Sequence, residues 1–442
     1  MIDGMKVLFV NTNDTSGGAA RAAMRIMRGV QQSGVEAQMF VKDKYSRSSD
    51  VIPLSAYTPS SNWLLNVFKW VIQKFKNRYH MFKWHPYRRT KQNVFMSDLR
   101  HTDIHGALQK LDYDFVHLHW INNRFLDIRE LAKIRKPIVW TLHDSWPFCG
   151  ICHYFVDCKR YQSQCGACPM LGSNKEKDLA YEVFEMKLKA YKDLNLHIVT
   201  PSRWLGESAK KSALFGQFPV HVIPNCIDTN LFCPLSIEEI TTFAERQENA
   251  VIRRVFSEAT QEKRIEKPFV LYGAMNAATD RIKGFSSLLS ALRLLDKQGF
   301  EANFVVFGAY EQELPMQFEH INVTFVGYIG DSHILAALYS IADIMVVPSL
   351  TENLSNAIME SLSCGTPVVA FNIGGNSDMI DHKHNGYLAV ERDSEDLARG
   401  IAWSLKHNVD GALSKNARKK VMQNFTIEIV SKQYKTLYES LV

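Results

Sequence analysis

Two successive series of short apolar runs, each followed by a turn signal and a helical pattern, limit this 442-residue chain to an α/β fold with parallel sheets. The first series opens with a strand-like run from Lys6 to Asn11, a turn from Thr15 to Gly18, a helical stretch from Ala19 to Gln32, and a second run from Ala37 to Val41. Runs at 115–118, 138–142, 197–200 and 221–223 extend the same sheet. After Pro224-Asn225 comes a charged, helix-like stretch over 236–267, then a second series with strands expected at 269–272, 303–307, 323–326, 344–347 and 367–371. Two doubly wound domains follow, at 1–224 and 225–422, with a terminal helix over 423–442 returning to the first. The length agrees, because it exceeds what one core usually supports. Such sheets bind ligands at the carboxyl ends of their strands, so two of them facing one another define a cleft.

Charge narrows the function classes. Residues 51–97 hold Lys69, Lys74, Lys76, Arg78, Lys83, Arg88, Arg89 and Lys91 and no acidic residue; without them the net charge of +6 turns slightly negative. The basicity belongs to one surface, which argues against a nucleic-acid partner. No apolar run reaches the roughly 18 residues of a membrane-spanning helix, and the first residues read as a strand rather than a secretory signal, so cytoplasmic placement is expected.

The segment Val346 to Ile373 reads VVPSLTENLSNAIMESLSCGTPVVAFNI. A strand ends at Pro348, a loop carries Glu352, a helix runs from about Ser355 to Ser363, Gly365 closes it and Pro367 starts the next strand. Glu352 and Glu360 are eight residues apart, with the free N–H groups of the helix start between them. A helix N-terminus attracts phosphate, and a carboxylate on either side can accept hydroxyl hydrogen bonds. Spacing alone leaves open an ordinary loop and helix with two solvated glutamates.

This segment resembles the E-x7-E signature of glycosyltransferase family 4, including its C-G-T-P-V-V run. The resemblance implies the GT-B class, two doubly wound Rossmann-like domains facing across a cleft. It also implies a nucleotide-sugar donor, with Glu352 on the donor sugar and Glu360 on the ribose. The family's Gly-Phe-Gly is Asn353-Leu354-Ser355 here. The stretch GAMNAATDRIKGFSSLL (Gly273 to Leu289) is similar to the family's G-R-x-x-x-x-K-G segment, which makes Lys283 the cation facing the leaving diphosphate. The usual Arg position holds Ala274, and Arg281 is the candidate replacement. A departing nucleoside diphosphate gathers negative charge, which cations and N–H dipoles must meet.

In the first domain the turn at Gly17 and Gly18 presents N–H groups at a helix start, and the resemblance sets it toward the donor diphosphate. It lacks the three glycines of a dinucleotide fingerprint, and Asp43 alone makes a weak ribose acid. The segment VWTLHDSWP (Val139 to Pro147) resembles the family's T-x-H segment, making His143 the first-domain active-site residue; Asp144 is expected on the acceptor side, and His119, within HLHW, either lines the acceptor side or packs in the core. Gly374-Gly375, with Asp378, resembles the family turn that closes the donor pocket, and Gly327-Tyr328, after another strand, is expected beside the nucleobase, which adds Gly375 and Tyr328 to the donor contacts. Ser355 at the helix start completes them. Cys226 replaces a family glycine and is assigned no role.

The mechanism implied is retaining transfer without a protein nucleophile and without a catalytic metal. Asp112 and Asp114 have the spacing of a metal motif but precede a strand, where they read as a surface turn. Two other readings stay open: a nucleotide-sugar epimerase of the same fold, and a non-enzymatic, membrane-associated assembly component.

The Cys-rich segment 149–168 contains Cys152, Cys158, Cys165 and Cys168 in the pattern C-x5-C-x6-C-x2-C. Four thiolates suit a structural zinc, and reduced thiols or disulfides are the alternatives. Residues 62–84 place Trp63, Val67, Trp70, Val71, Phe75 and Phe82 near one helical face and Lys69, Lys76 and Lys83 towards another. This pattern fits either a helix lying on an anionic membrane, suited to a lipid-linked glycan acceptor, or a helix covering the sheet.

Overall fold

The computed structural model describes residues 4–57, 87, 104–155, 157–260, 267–273, 280–309 and 317–441. Most of the basic aromatic segment lies outside the described residues, and with it the expectation of a membrane-surface helix; so does Ala274. Among the described residues, no helix is long and apolar enough to cross a membrane.

The chain divides into two compact units, 1–225 with 430–442, and 226–429. The sequence reading put the boundary at 224/225 and the start of the returning segment at 423. The first unit contains β1 (Lys6–Asn13), β2 (Glu36–Asp43), β3 (Val51–Pro53), β4 (Phe115–Leu118), β5 (Ile138–Thr141), β6 (Leu196–Thr200) and β7 (Val220–Val222). They form one sheet in the order β3-β2-β1-β4-β5-β6-β7, with every neighbouring pair parallel. The order reverses between β1 and β4, and that switch point is where a doubly wound sheet opens a crevice at its strand ends.

The C-terminal helix Ile427–Glu439 supplies buried hydroxyls to this unit. The Tyr434 hydroxyl lies 3.0 Å from Thr141 Oγ1, and the Tyr438 hydroxyl 2.7 Å from Nδ1 of His117. A buried polar group without a partner is costly. These tyrosines satisfy a threonine and a histidine that the two central strands place in the core.

The second unit has β8 (Phe269–Gly273), β9 (Ala302–Phe307), β10 (Ile321–Gly327), β11 (Ile344–Val347), β12 (Val368–Phe371) and β13 (Gly386–Ala389). Their order is β10-β9-β8-β11-β12-β13, again all parallel, with the switch point between β8 and β11. Alternate residues feed two cores. Leu271, Met345 and Val368 join one face, while Val270, Tyr272, Ile344, Val346 and Val369 join the other. The charged stretch after residue 236 forms two helices, Ile237–Glu245 and Ala250–Thr260. The first begins with a capping box between Ser236 and Glu239.

Candidate active-site residues

In the second unit the switch point carries the residues expected to hold a donor. The loop after β11 and the turn Arg281–Lys283 after β8 are joined by the Leu350 amide donating to the Ile282 carbonyl at 2.8 Å. Lys283 Nζ then lies 3.4 Å from Glu352 Oε2, with both side chains largely covered. The Glu352 carboxylate raises the Lys283 pKa against the opposing effect of burial, so Lys283 is charged at neutral pH.

Two glycines allow this approach. Gly284 has φ +70, and a Cβ there would stand 1.7 Å from the Pro348 carbonyl oxygen; Gly374 has φ +51, and its Cβ would stand 1.7 Å from the Glu352 carbonyl oxygen. Sequence reasoning chose Gly375, which is buried and caps the short helix Asn376–Met379; Gly374 is the residue against the Glu352 loop.

Ser355 caps the helix Asn356–Ser363, its side chain accepting from the Ile358 amide. Glu360 lies inside this helix, buried, and accepts a hydrogen bond from the Tyr339 hydroxyl at 3.3 Å. Tyr339 belongs to the preceding helix Ser332–Ile341, and no motif pointed to it. Tyr328 is 62% exposed after β10, and Arg281 is exposed, so neither is fixed by packing.

In the first unit, Gly17 caps the helix Gly18–Gln32 without a side-chain cap, which leaves that helix start to its own N–H groups. The turn is shaped by Asn13, whose Oδ1 accepts from the Ser16 amide at 2.7 Å, and by Asp14, which accepts from the amides of Tyr45 and Ser46. Across the switch point the end of β1 is tied to the chain after β4. Asn11 Oδ1 accepts from the Trp120 amide at 2.8 Å, and the Thr12 hydroxyl donates to the Asn122 carbonyl.

His143 follows β5 and places Nε2 2.9 Å from Nδ1 of His119, the rings stacked 5.2 Å apart. Phe9 also stacks on His119, with centroids 5.4 Å apart. Burial lowers the His143 pKa to about 4 against the nearby Asp144 charge, and pushes His117 and His119 well below the usual histidine range. All three are neutral at physiological pH. His119 and Asp144, expected on the acceptor side, are both buried within the first unit. Asp144 accepts from the Trp146 amide at 2.9 Å and from the Trp120 indole at 3.1 Å, and pairs with His153 Nδ1 at 2.5 Å. Burial alone would raise its pKa; these partners hold it below the usual carboxylate range.

The cysteines gather in the loop beyond. Cys152, Cys165 and Cys168 are buried, Cys158 is half-buried, and all are free thiols. The Cys152 thiol donates a hydrogen bond to the Cys168 sulfur, Cys165 accepts the Gly150 amide at 3.2 Å, and the amides of Met170 and Leu171 stand near the Cys168 sulfur, that of Leu171 donating to the Cys168 carbonyl oxygen. Burial raises the Cys165 thiol to about 11, whereas the bond from Cys152 and those amides lower Cys168. The donor atoms suit zinc. Among the described residues, no group of three or more His, Cys, Asp or Glu is gathered as a metal site in this arrangement of the thiols.

Residues 16–231 match the Glycosyltransferase Family 4 domain, and residues 266–407 match the Glycosyl transferases group 1 domain. The chain is a glycosyltransferase. An uncharacterized glycosyltransferase of Methanocaldococcus jannaschii is 25% identical over 76% of this chain and 77% of its own length. A Campylobacter jejuni relative, N,N'-diacetylbacillosaminyl-diphospho-undecaprenol alpha-1,3-N-acetylgalactosaminyltransferase, is 28% identical over 40% of this glycosyltransferase, which spans 46% of that relative. Among solved structures, sucrose-phosphate synthase from Thermosynechococcus elongatus superposes with a TM-score of 0.63 at 18% identity, covering 99% of each chain. The Anabaena protein HepE, in complex with UDP and glucose, gives 0.59 at 16% identity, covering 99% of this chain and 100% of its own. The fold of this glycosyltransferase is GT-B, with two Rossmann-like parallel-sheet units.

Proposed function

We propose that this enzyme transfers a sugar from a nucleotide-sugar donor to a glycan acceptor, with retention of configuration and no metal in the chemical step. The setting would be surface-polysaccharide synthesis in the cytoplasm, with a lipid-linked acceptor. The observation that carries the reading is the Lys283–Glu352 pair at the switch point of the second unit, beside a helix start. HepE, a protein of the same fold, binds UDP and glucose, and the Campylobacter relative is named for action on an undecaprenol-linked sugar.

In this reading Lys283 and the N–H groups beyond Ser355 meet the charge that grows on the departing diphosphate. Arg281 supplies a second cation, and Gly17 and Gly18 offer amides from the first unit. Glu352 and His143 orient the sugar, while Glu360, Tyr328 and the Gly375 turn hold the nucleoside. The acceptor hydroxyl forms the new bond to the anomeric carbon on the face that the diphosphate leaves. Its proton passes to a phosphate oxygen of that leaving group. We also propose that Cys152, Cys158, Cys165 and Cys168 bind a structural zinc. The reading rests on their spacing and on the amides beside Cys165 and Cys168, and requires the thiols to move together from their described places.

The deciding experiment incubates the full chain with UDP-, GDP- and dTDP-sugars and a set of lipid-linked acceptors, and reads the anomeric configuration of the product by NMR. An inverted product removes the proposed mechanism. Interconversion of donor sugars without an acceptor moves the reading to an epimerase, and no turnover or nucleotide binding moves it to an assembly component.

A further inference from the structure

A cleft of about 700 Å³ lies wholly within the first unit, between the Cys-rich loop and the helix Arg203–Lys211. Its aromatic lining consists of Phe155, Trp204 and Tyr161. Phe155 stacks on Trp204 with ring centroids 5.4 Å apart and planes 24° from parallel, and meets the Tyr161 ring in a tilted contact at 4.5 Å. Tyr161 is buried, whereas Phe155 and Trp204 are only partly covered, so the outer pair leaves aromatic surface towards solvent. Gln162, Glu207 and Lys211 stand on the rim. The lining carries two acidic and two basic side chains, Asp157 and Glu207 with Lys159 and Lys211, and so has no net charge.

That chemistry selects its ligand. A nucleotide or phosphate calls for an excess of cations, and a lipid chain for an apolar rim; neither is present. A neutral sugar has an apolar C–H face that packs on an aromatic ring and hydroxyls that use mixed donors and acceptors at the edge. Position points the same way. β6 lies beside β5 in the sheet, Trp204 follows the end of β6, and Phe155 belongs to the loop that begins at His143. That loop is held in place by the Asp144–His153 pair.

We propose that this cleft is a saccharide subsite that grips a sugar unit of the acceptor glycan away from the reacting hydroxyl. The proposal rests on the glycosyltransfer reading above. Its test uses the full chain labelled with fluorotryptophan, with the Trp204 resonance assigned by Trp204→Phe and followed by fluorine NMR. Maltose, lactose and chitobiose are titrated to about 50 mM, the range for weak contacts of this kind. At least one should shift the Trp204 resonance saturably, and Gln162→Ala should weaken that binding at least about threefold. A panel of UDP, GDP and dTDP titrated into the same protein should leave Trp204 unmoved. If a nucleoside diphosphate binds while no saccharide moves Trp204, or if decyl phosphate moves it and the saccharides do not, the subsite is overturned and the transferase reading stands. If no nucleoside diphosphate binds, the proposed donor chemistry itself fails, and the acceptor assignment with it.

Discussion

His119 Nδ1 and His143 Nε2 share one hydrogen bond of 2.9 Å, while the other nitrogen of His119, Nε2, is buried without a partner. A buried N–H with nothing to accept it is rarer than an unused lone pair. The proton of His119 therefore belongs on Nδ1, and His143, receiving it at Nε2, keeps its own proton on Nδ1. His119 thus sets the tautomer of His143 and acts as its positioning residue. His119→Ala is expected to lower kcat by about 10- to 100-fold with little change in the KM for the donor, as a loss of orientation does. His119→Asn, whose amide can donate from nearly the same place, should recover part of the rate. Equal losses in both variants would assign His119 to packing alone.

The same histidines set a pH dependence of stability. His143 falls from 6.5 to about 4 on folding, chiefly by burial, and His117 and His119 shift in the same direction. Between those values the unfolded chain binds protons that the folded one refuses, so stability rises with pH through this window and is lost as pH falls below about 6.5. The thermal transition of the first unit should drop between pH 7 and pH 5, and His143→Gln should make that drop smaller. A transition unchanged over that range would refute the assignment of neutral, buried histidines.

Lys283→Ala and Glu352→Ala should each reduce transfer by at least about 100-fold, the scale of losing a preorganised electrostatic contact. The fold should survive, because both side chains sit at loop ends rather than in the cores. Arg281→Ala tests a weaker link, since that side chain is exposed and not fixed by packing. An unchanged rate there leaves Lys283 as the only assigned cation for the leaving group.

The strands were legible because periodicity marks them, and their ends were expected to present functional groups; the strand order and its switch points came from the structure. The E-x7-E segment and Lys283 fall at the reversal between β8 and β11, and the Gly17 turn and His119 at that between β1 and β4. The edge strands β3 and β13 escaped notice: Val51–Pro53 is three residues long, and Gly386–Ala389 opens on glycine, too little pattern to register. Contacts made at a distance were equally hidden. Nothing local ties Tyr339 to Glu360, or the glycine before Gly375 to the carbonyl of Glu352. His119 and Asp144 follow strand ends, and neighbouring side chains bury both, which strand position alone does not reveal.

For the cysteines, protein purified without added metal should carry about one zinc per chain by elemental analysis. Cys165→Ser with Cys168→Ser should lower thermal stability more than nucleotide affinity, because such a metal would hold the loop rather than take part in the reaction. Metal-free protein of full stability would return the four residues to ordinary buried thiols.

A last prediction concerns Lys187, on the helix Leu179–Tyr191, which no motif marked. Its ammonium is fully buried, donates to the carbonyls of Trp146, Cys149 (2.8 Å) and Gly150 (3.1 Å), and lies 3.6 Å from the centre of the Trp146 ring. Burial pulls its pKa down to about 7, and three carbonyl acceptors match the three donors of the charged form. The loop it grips runs from the His143 strand end to the cysteines, and its carbonyls have few ways to find water. Lys187→Met keeps most of the side-chain volume but removes every donor, so buried acceptors lose their partner. The expected cost is about 3 kcal/mol, well beyond an ordinary surface substitution. In a thermal scan the transition of the first unit should fall by several degrees, while the second unit, with its own sheet and cores, keeps its transition. Transfer should weaken through kcat, as His143 and Asp144 lose the support of the loop that follows them. A variant as stable as the parent would show that the ammonium is a passenger in the core rather than the anchor of this loop.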